Sequence, residues 1–302
     1  MSKQSRISIY IAAAILLALT LCGSIWDLEI AHALYLGQMP AENLFGILFA
    51  YIGIIPTFVG WSFLGASILT LSKKQITDAK KRRWLMAFAI LLFVLSFFYF
   101  CTTLYVSNAH AFEVHFAIAY PVGLVILCAA AYLGYRLSQN SEDNTLLQKV
   151  LFLAAVSLVT MLIISCTKRL MCRPRFRFVL ASDIPDYYKN WWQSGKAIKN
   201  SLGMGMESDE FASFPSGHSA YAMFAVFLFP ALADYVRGLA KYKPYLFALG
   251  FVWWAATAFS RLTMGAHYLT DVTIAGLVTI LAFALLSAIK HWYRKRTHLP
   301  NL

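Results

Sequence analysis

The sequence predicts an all-α, polytopic membrane helical bundle of about eight transmembrane helices. Three observations predict it. Hydrophobic residues make up 60% of the 302, charged residues 13%, and mean hydropathy is +0.62, whereas a soluble domain carries roughly 25% charged residues. Eight apolar stretches approach the ~20 residues needed to cross about 30 Å of hydrocarbon. The Lys and Arg residues between them alternate sides in one consistent scheme. Ordinary soluble enzymes, disordered tails and small disulfide scaffolds are excluded by the same composition.

The first stretch, 7–25, reads as an uncleaved helix, because no small-x-small cleavage pattern follows it and Leu21 before Cys22 spoils a lipoprotein site. The second, 44–72, is long enough for a tilted or kinked span and contains Pro56. Stretches 84–106, 116–138, 150–167 and 218–236 follow. The seventh, 245–260, is short, so its outer end is expected deep in the interface, and 271–290 completes the set. The five cysteines (Cys22, Cys101, Cys128, Cys166, Cys172) form no CxxC pair and read as small apolar residues, not as a disulfide or metal set.

Basic residues fix the expected orientation. Lys73, Lys74, Lys80, Lys81, Arg82 and Arg83 crowd one loop, which marks it cytoplasmic. Alternation then puts both termini inside, with a basic tail over 291–302. On this topology 17 of the 26 Lys and Arg, but only four of the 14 acids, lie inside. The formal charge of +12 is therefore a topology signal, not a nucleic-acid signal. One outer segment departs from the rule: 168–217 carries Lys168, Arg169, Arg173, Arg175, Arg177, Lys189, Lys196 and Lys199, and a bound anion is the simplest reason.

Three short stretches on that side carry candidate chemistry. Lys168-Arg-Leu-Met-Cys-Arg173-Pro174-Arg175 offers a point charge plus forked guanidinium donors, which suit a tetrahedral phosphate. Headgroup anchors look the same. Phe214-Pro215-Ser216-Gly217-His218 reads as a helix start whose free N–H groups favour an anion, with His218 placed where the dipole helps it surrender a proton. A plain capped helix would read alike. Ser260-Arg261 through His267 to Asp271 places His and Asp at i and i+4, where the carboxylate can take the Nδ1–H and leave Nε2 as nucleophile or base. A pair that only secures a helix end is the structural alternative, although Asp271 at a membrane span is expensive without a partner.

Together these stretches resemble the type-2 phosphatidic acid phosphatase superfamily, with its Lys-x6-Arg-Pro, Pro-Ser-Gly-His and Ser-Arg-x5-His-x3-Asp motifs. The second and third match in full. The first matches if Lys168 pairs with Arg175, but Phe176 stands where Pro is usual, and Arg173-Pro174 supplies the dipeptide at another offset, so Arg173 is a secondary candidate. The resemblance covers roughly 150–290, the last four spans, with the outer loop 168–217 inside it. The spans within 1–149 are partly extra to the family core.

The resemblance implies a metal-independent membrane lipid phosphatase without a cofactor. His267 would attack phosphorus to give a phosphohistidine, and Asp271 would orient it. His218 would protonate the leaving alkoxide and then activate water. Lys168, Arg175, Ser216, Gly217 and Arg261 would hold the non-bridging oxygens, with Arg173 in reserve. The expected partners are a lipid phosphate or pyrophosphate and the bilayer, with no nucleic acid and no obligate protein partner. The site would face the extracellular or periplasmic side. A lipid phosphotransferase with the same intermediate is the alternative enzyme. A transporter or a non-catalytic lipid-binding protein is the alternative of another class, and the near-absence of ionisable residues at span centres argues against a carrier.

Of the lesser features, Tyr187, Tyr188, Trp191 and Trp192 read as interfacial anchors or as a wall for a lipid tail. His110, Glu113 and His115 read as a loop cluster, and Asp234 as a snorkelling or capping group.

Overall fold

The computed structural model describes residues 3–39, 41–108, 116–203 and 208–297, and among them every regular element is a helix. His110, Glu113 and His115 lie outside the described residues. In chain order the α-helices are α1 (Lys3–Leu34), α2 (Leu44–Ile52), α3 (Ile55–Gln75), α4 (Ala79–Asn108), α5 (Phe116–Gln139) and α6 (Leu146–Met171). They continue with α7 (Phe176–Ser182), α8 (Lys196–Ser201), α9 (Gly217–Met223), α10 (Ala225–Ala231), α11 (Lys243–Thr263) and α12 (Leu269–Thr297).

Among the described residues, seven segments are long and apolar enough to cross a membrane: Arg6–Leu34, Leu44–Gln75, Ala79–Thr102, Tyr120–Gln139, Leu146–Ser182, Arg237–Thr263 and Leu269–Tyr293. The expected span 218–236 is instead two seven-residue helices, α9 and α10, followed by a 3-10 turn through Asp234. Pro230 lies inside α10, lacks an N–H and so removes one rung of the helical ladder. The kink expected in the second stretch is a full break after Ile52, with Pro56 in the first turn of α3, where its missing N–H is harmless. Helix α1 bends at Trp26 (φ −124°, ψ 26°) and continues to Leu34, so much of the expected first outer loop is helical.

The chain divides into two compact units. The first comprises Met1–Gly53, Leu158–Met223 and Phe251–Ala282. Its α1 presents Leu16, Thr20, Gly23, Asp27 and Ala31 at helical spacing. Leu16 is fully buried and packs at Gly276 on α12, while the Thr20 hydroxyl bonds that of Thr273 at 2.8 Å. Ala31 closes this seam in a cluster with Phe176 and Tyr268. The C-terminal ends of α1, α6 and α11 and the start of α12 thereby carry the candidate site.

The second unit comprises Ile54–Ser157, Phe224–Gly250 and Phe283–Leu302. Small residues let its helices approach closely, as membrane bundles require: a Cβ on Gly134 would strike the backbone of Phe63, and one on Gly250 the backbone of Val226. Trp61 is fully buried and donates its indole N–H to Ser157 Oγ at 2.7 Å. Asp234 pairs with Lys243 at 2.8 Å and Lys149 at 3.4 Å, so it is an ion-paired group near a helix end. The five cysteines are all free; Cys101 and Cys172 are buried, whereas Cys128 and Cys166 are exposed on the helix surfaces.

Candidate active site

All candidate residues fall in the first unit. Helix α6 ends at Met171 because Cys172 takes a left-handed conformation (φ 45°), after which Arg173 and Pro174 lead to Arg175, the residue that starts α7. Lys168, in the last turn of α6, points its ammonium at the backbone carbonyl of Ala212 and lies beside Gly217, whose open flank would place a Cβ 3.7 Å from Lys168 Cε.

The two arginines of this stretch have different surroundings. Arg175 is nearly buried; its Nε donates to the Asp209 carbonyl at 2.8 Å and its Nη2 to the Asp209 carboxylate at 2.7 Å. That carboxylate is 63% exposed on its far side. Arg173 is fully buried, with Nη1 on Asp271 Oδ1 at 2.7 Å and on Thr270 Oγ1 at 2.9 Å. Its Nη2 reaches Asp27 Oδ2 at 2.9 Å, its Nε bonds the Lys189 carbonyl, and its guanidinium covers the Tyr268 ring at 4.1 Å. The reserve phosphate ligand is thus engaged by two carboxylates.

Ser216 caps α9, its hydroxyl accepting the Ser219 N–H at 3.3 Å, and its own N–H donates to the Asp271 carbonyl at 3.0 Å. These bonds tie the start of α9 to that of α12. His218 follows in the first turn, and its Nε2 is buried without a hydrogen-bond partner. His218 is within electrostatic range of Arg261, His267, Arg175 and Lys168, so the cations named from the sequence converge on one place.

Arg261 sits in the last turn of α11, buried, with Nε unpartnered and Nη1 touching only the soft Met264 sulfur at 3.5 Å. A buried donor left without an oxygen acceptor is costly, and an anion would satisfy it. The chain then turns at Gly265 (φ 60°), a conformation glycine adopts without strain, and the Gly265 carbonyl accepts the Arg177 N–H at 2.9 Å. The N–H groups of Ala266 and His267 both return to the Arg261 carbonyl.

His267 is 2% exposed. Its Nδ1 lies 2.6 Å from the Ser213 carbonyl oxygen, an atom that can only accept, so Nδ1 carries the proton and Nε2 the lone pair. Asp271 Oδ2 is 3.7 Å from the same nitrogen. The expectation that Asp271 takes the Nδ1–H directly is corrected here: α12 starts at Leu269, two residues later than assumed, and Ser213 lies between. Asp271 instead accepts the Ser213 hydroxyl at 2.5 Å and the Tyr268 N–H at 2.8 Å, and so holds His267 through Ser213. Burial, reinforced by Lys168 and Arg175, pushes the His267 pKa down to about 3 against the opposing pull of the nearby Asp271 carboxylate, so the imidazole is neutral.

Sequence reasoning missed three residues. Ser213 contributes a backbone carbonyl, which any residue could supply. Asp209 pairs with Arg175; burial would raise its carboxyl pKa, but Arg175 and Arg177 hold it below the ordinary range. Asp27 comes from α1, 146 positions before Arg173 and outside all three motif stretches. Of the four aromatic residues, Trp191 bonds Ser24 Oγ at 2.9 Å and Tyr188 packs on Tyr268, while Trp192 is 53% exposed. Among the described residues no group of three or more His, Cys, Asp or Glu side chains is placed to hold a metal ion.

Residues 149–297 match the family model described as the PAP2 superfamily. No curated protein and no solved structure matches the chain.

Proposed function

We propose that this chain, whose residues 149–297 belong to the PAP2 superfamily of phosphatases, hydrolyses a lipid phosphate or pyrophosphate monoester at the outer membrane face. The observation that carries the reading is His267: a buried, neutral imidazole with Nδ1 tied to a carbonyl, set among Lys168, Arg175 and Arg261. A neutral imidazole with a fixed tautomer is a nucleophile. The cations around it suit the charge of a phosphoryl group.

In the first step the His267 Nε2 lone pair forms a bond to phosphorus, and the bond from phosphorus to the lipid oxygen breaks. Burial and the neighbouring cations hold the His218 pKa well below its ordinary value in the empty site; a bound phosphoryl dianion offsets those cations, and the imidazolium it stabilises gives its proton to the departing alkoxide. In the second step water attacks phosphorus, His218 takes a proton from it, the P–N bond breaks and phosphate leaves. Lys168, Arg175 and Arg261 bind the non-bridging oxygens throughout, and Ser216 and Gly217 present the backbone of the α9 start. A charged head beside the outer helix ends leaves the substrate's tail in the bilayer. The positive-inside pattern supports both termini in the cytoplasm and this site on the opposite side, a reading in which 217–236 crosses as the interrupted helices α9 and α10.

The test is phosphate release by the purified protein from a panel of lipid phosphates and pyrophosphates in EDTA. We expect turnover of at least one lipid and none above background for His267→Ala. Full-rate release by His267→Ala would overturn the mechanism, and an inactive wild type across the panel would overturn the activity.

A further inference from the structure

Asp27 lies on α1, far outside the segment 149–297 that matches the superfamily, yet it is buried inside the candidate site. One oxygen accepts the Thr270 N–H at 3.0 Å, near the start of α12; the other accepts Arg173 Nη2 at 2.9 Å and the Thr270 hydroxyl. Arg173 in turn reaches Asp271 at 2.7 Å, and Asp271 holds Ser213, whose carbonyl fixes the His267 tautomer. Each link is a hydrogen bond between buried groups.

A second observation points the same way. A Cβ on Gly23, one turn before Asp27, would stand 2.9 Å from Thr270 Cγ2 and 3.2 Å from Thr270 N. The α1 surface is therefore shaped to bring Asp27 against the first turn of α12. Thr20 and Thr273 continue that seam on one side, and Ala31 with Tyr268 on the other.

Taking the phosphatase reading as its basis, we infer that Asp27 is a positioning residue for the nucleophile, which α1 supplies to the site through Arg173 and Asp271. Its charge explains why Arg173, unlike Arg175, is fixed away from the phosphate. An arginine between two carboxylates is held in one rotamer, and the carboxylate it presents to Ser213 is fixed with it. With Asp27 neutral, Arg173 keeps a single anionic partner and Asp271 loses its fixed orientation. The rate of attack then falls, while the cations that bind phosphate are untouched.

The experiment uses full-length protein in detergent or vesicles, with a lipid phosphate that the wild type hydrolyses. Asp27→Asn keeps the shape and an oxygen for the Thr270 N–H while removing the charge. We expect kcat to fall about tenfold or more, with KM and inhibition by inorganic phosphate unchanged within about twofold. In an Asp271→Asn background, Asp27→Asn should lower kcat by less than twofold further, because both act on the same link. Thr270→Val removes the hydroxyl shared by Asp27 and Arg173 and should give a smaller fall of the same kind. If Asp27→Asn does not fold, Thr270→Val decides: reduced kcat with intact phosphate inhibition supports the role, and wild-type kcat overturns it. Wild-type kcat in folded Asp27→Asn, or equal falls in both backgrounds, also overturns it. An inactive wild type would instead defeat the phosphatase reading on which this inference rests.

Discussion

The contrast between Arg173 and Arg175 gives the sharpest separation of support from binding. Consider Arg173→Ala beside Arg175→Ala. Arg173 is fully buried between Asp27 and Asp271, which are themselves 2% and 0% exposed. Removing one partner of a buried ion pair typically costs about 3–5 kcal/mol, because a charge is left without compensation. Here two carboxylates lose their common cation, so the upper part of that range applies. Against a total stability of about 5–15 kcal/mol, this is a large fraction. Arg175 pairs with Asp209, whose carboxylate is 63% exposed and rehydrates when the arginine is lost. Solvent screening reduces such a pair to about 1 kcal/mol or less. Thermal unfolding of the two purified variants should therefore show a strongly lowered midpoint for Arg173→Ala and a nearly wild-type midpoint for Arg175→Ala. Inorganic phosphate inhibition should weaken tenfold or more in Arg175→Ala. An Arg173→Ala protein with wild-type stability and lost phosphate binding would refute the assignment.

Three other outcomes follow from the same geometry. Ser213→Ala keeps the carbonyl that orients His267 but removes a hydroxyl bond to a buried carboxylate, worth about 1.5–3 kcal/mol; kcat should drop about 10- to 100-fold, and an unchanged kcat measured on folded protein would exclude the relay through Ser213. Gly265→Ala forces a Cβ onto a φ of 60° and to 2.9 Å from Tyr35 Cε2; a left-handed residue costs about 1–2 kcal/mol, readable as a lower denaturation midpoint, and a wild-type midpoint counts against the turn. The His267 pKa is lowered to about 3 by burial, and an unfolded histidine titrates near 6.5. The unfolded chain therefore takes up a proton between those values that the folded one refuses, so stability falls on acidification from pH 6.5 toward 3; His267→Gln should flatten that slope, and identical slopes would show a titrating imidazole.

The helical membrane class and the match to the superfamily model were legible because both are written locally, the first in apolar run length and the second in three short motifs. Lys168, Arg175, His218, Arg261, His267 and Asp271 could be named because their side chains carry the signal, and the structure brings them together. The role of Arg173 was not legible. An arginine serving a phosphate and one serving two carboxylates look the same in sequence, and the second carboxylate comes from α1. The break at Phe224 between α9 and α10 was hidden too: composition measures how apolar a stretch is, not whether its helical ladder is continuous. Ser213 was invisible because its contribution to His267 is a backbone atom.

The distribution of buried charge explains why the same segment can carry so many cations and still fold. Arg173 is matched by Asp27 and Asp271, and Arg177 by Glu210, so these two arginines demand nothing further. Lys168, Arg175 and Arg261 remain, with Asp209 paired to Arg175 and 63% exposed, and with Asp271 within electrostatic range. Counted together, the five cations Lys168, Arg173, Arg175, Arg177 and Arg261 face the four carboxylates Asp27, Asp209, Glu210 and Asp271, which leaves a positive surplus beside a neutral histidine, with Arg261 Nε and His218 Nε2 unbonded. A phosphate monoester near neutral pH carries close to two negative charges. The surplus that would strain an empty site is thus of the sign that this ligand removes. Its binding should stabilise the folded protein in proportion to the logarithm of its concentration. A midpoint that does not rise with inorganic phosphate would show that the surplus is compensated some other way.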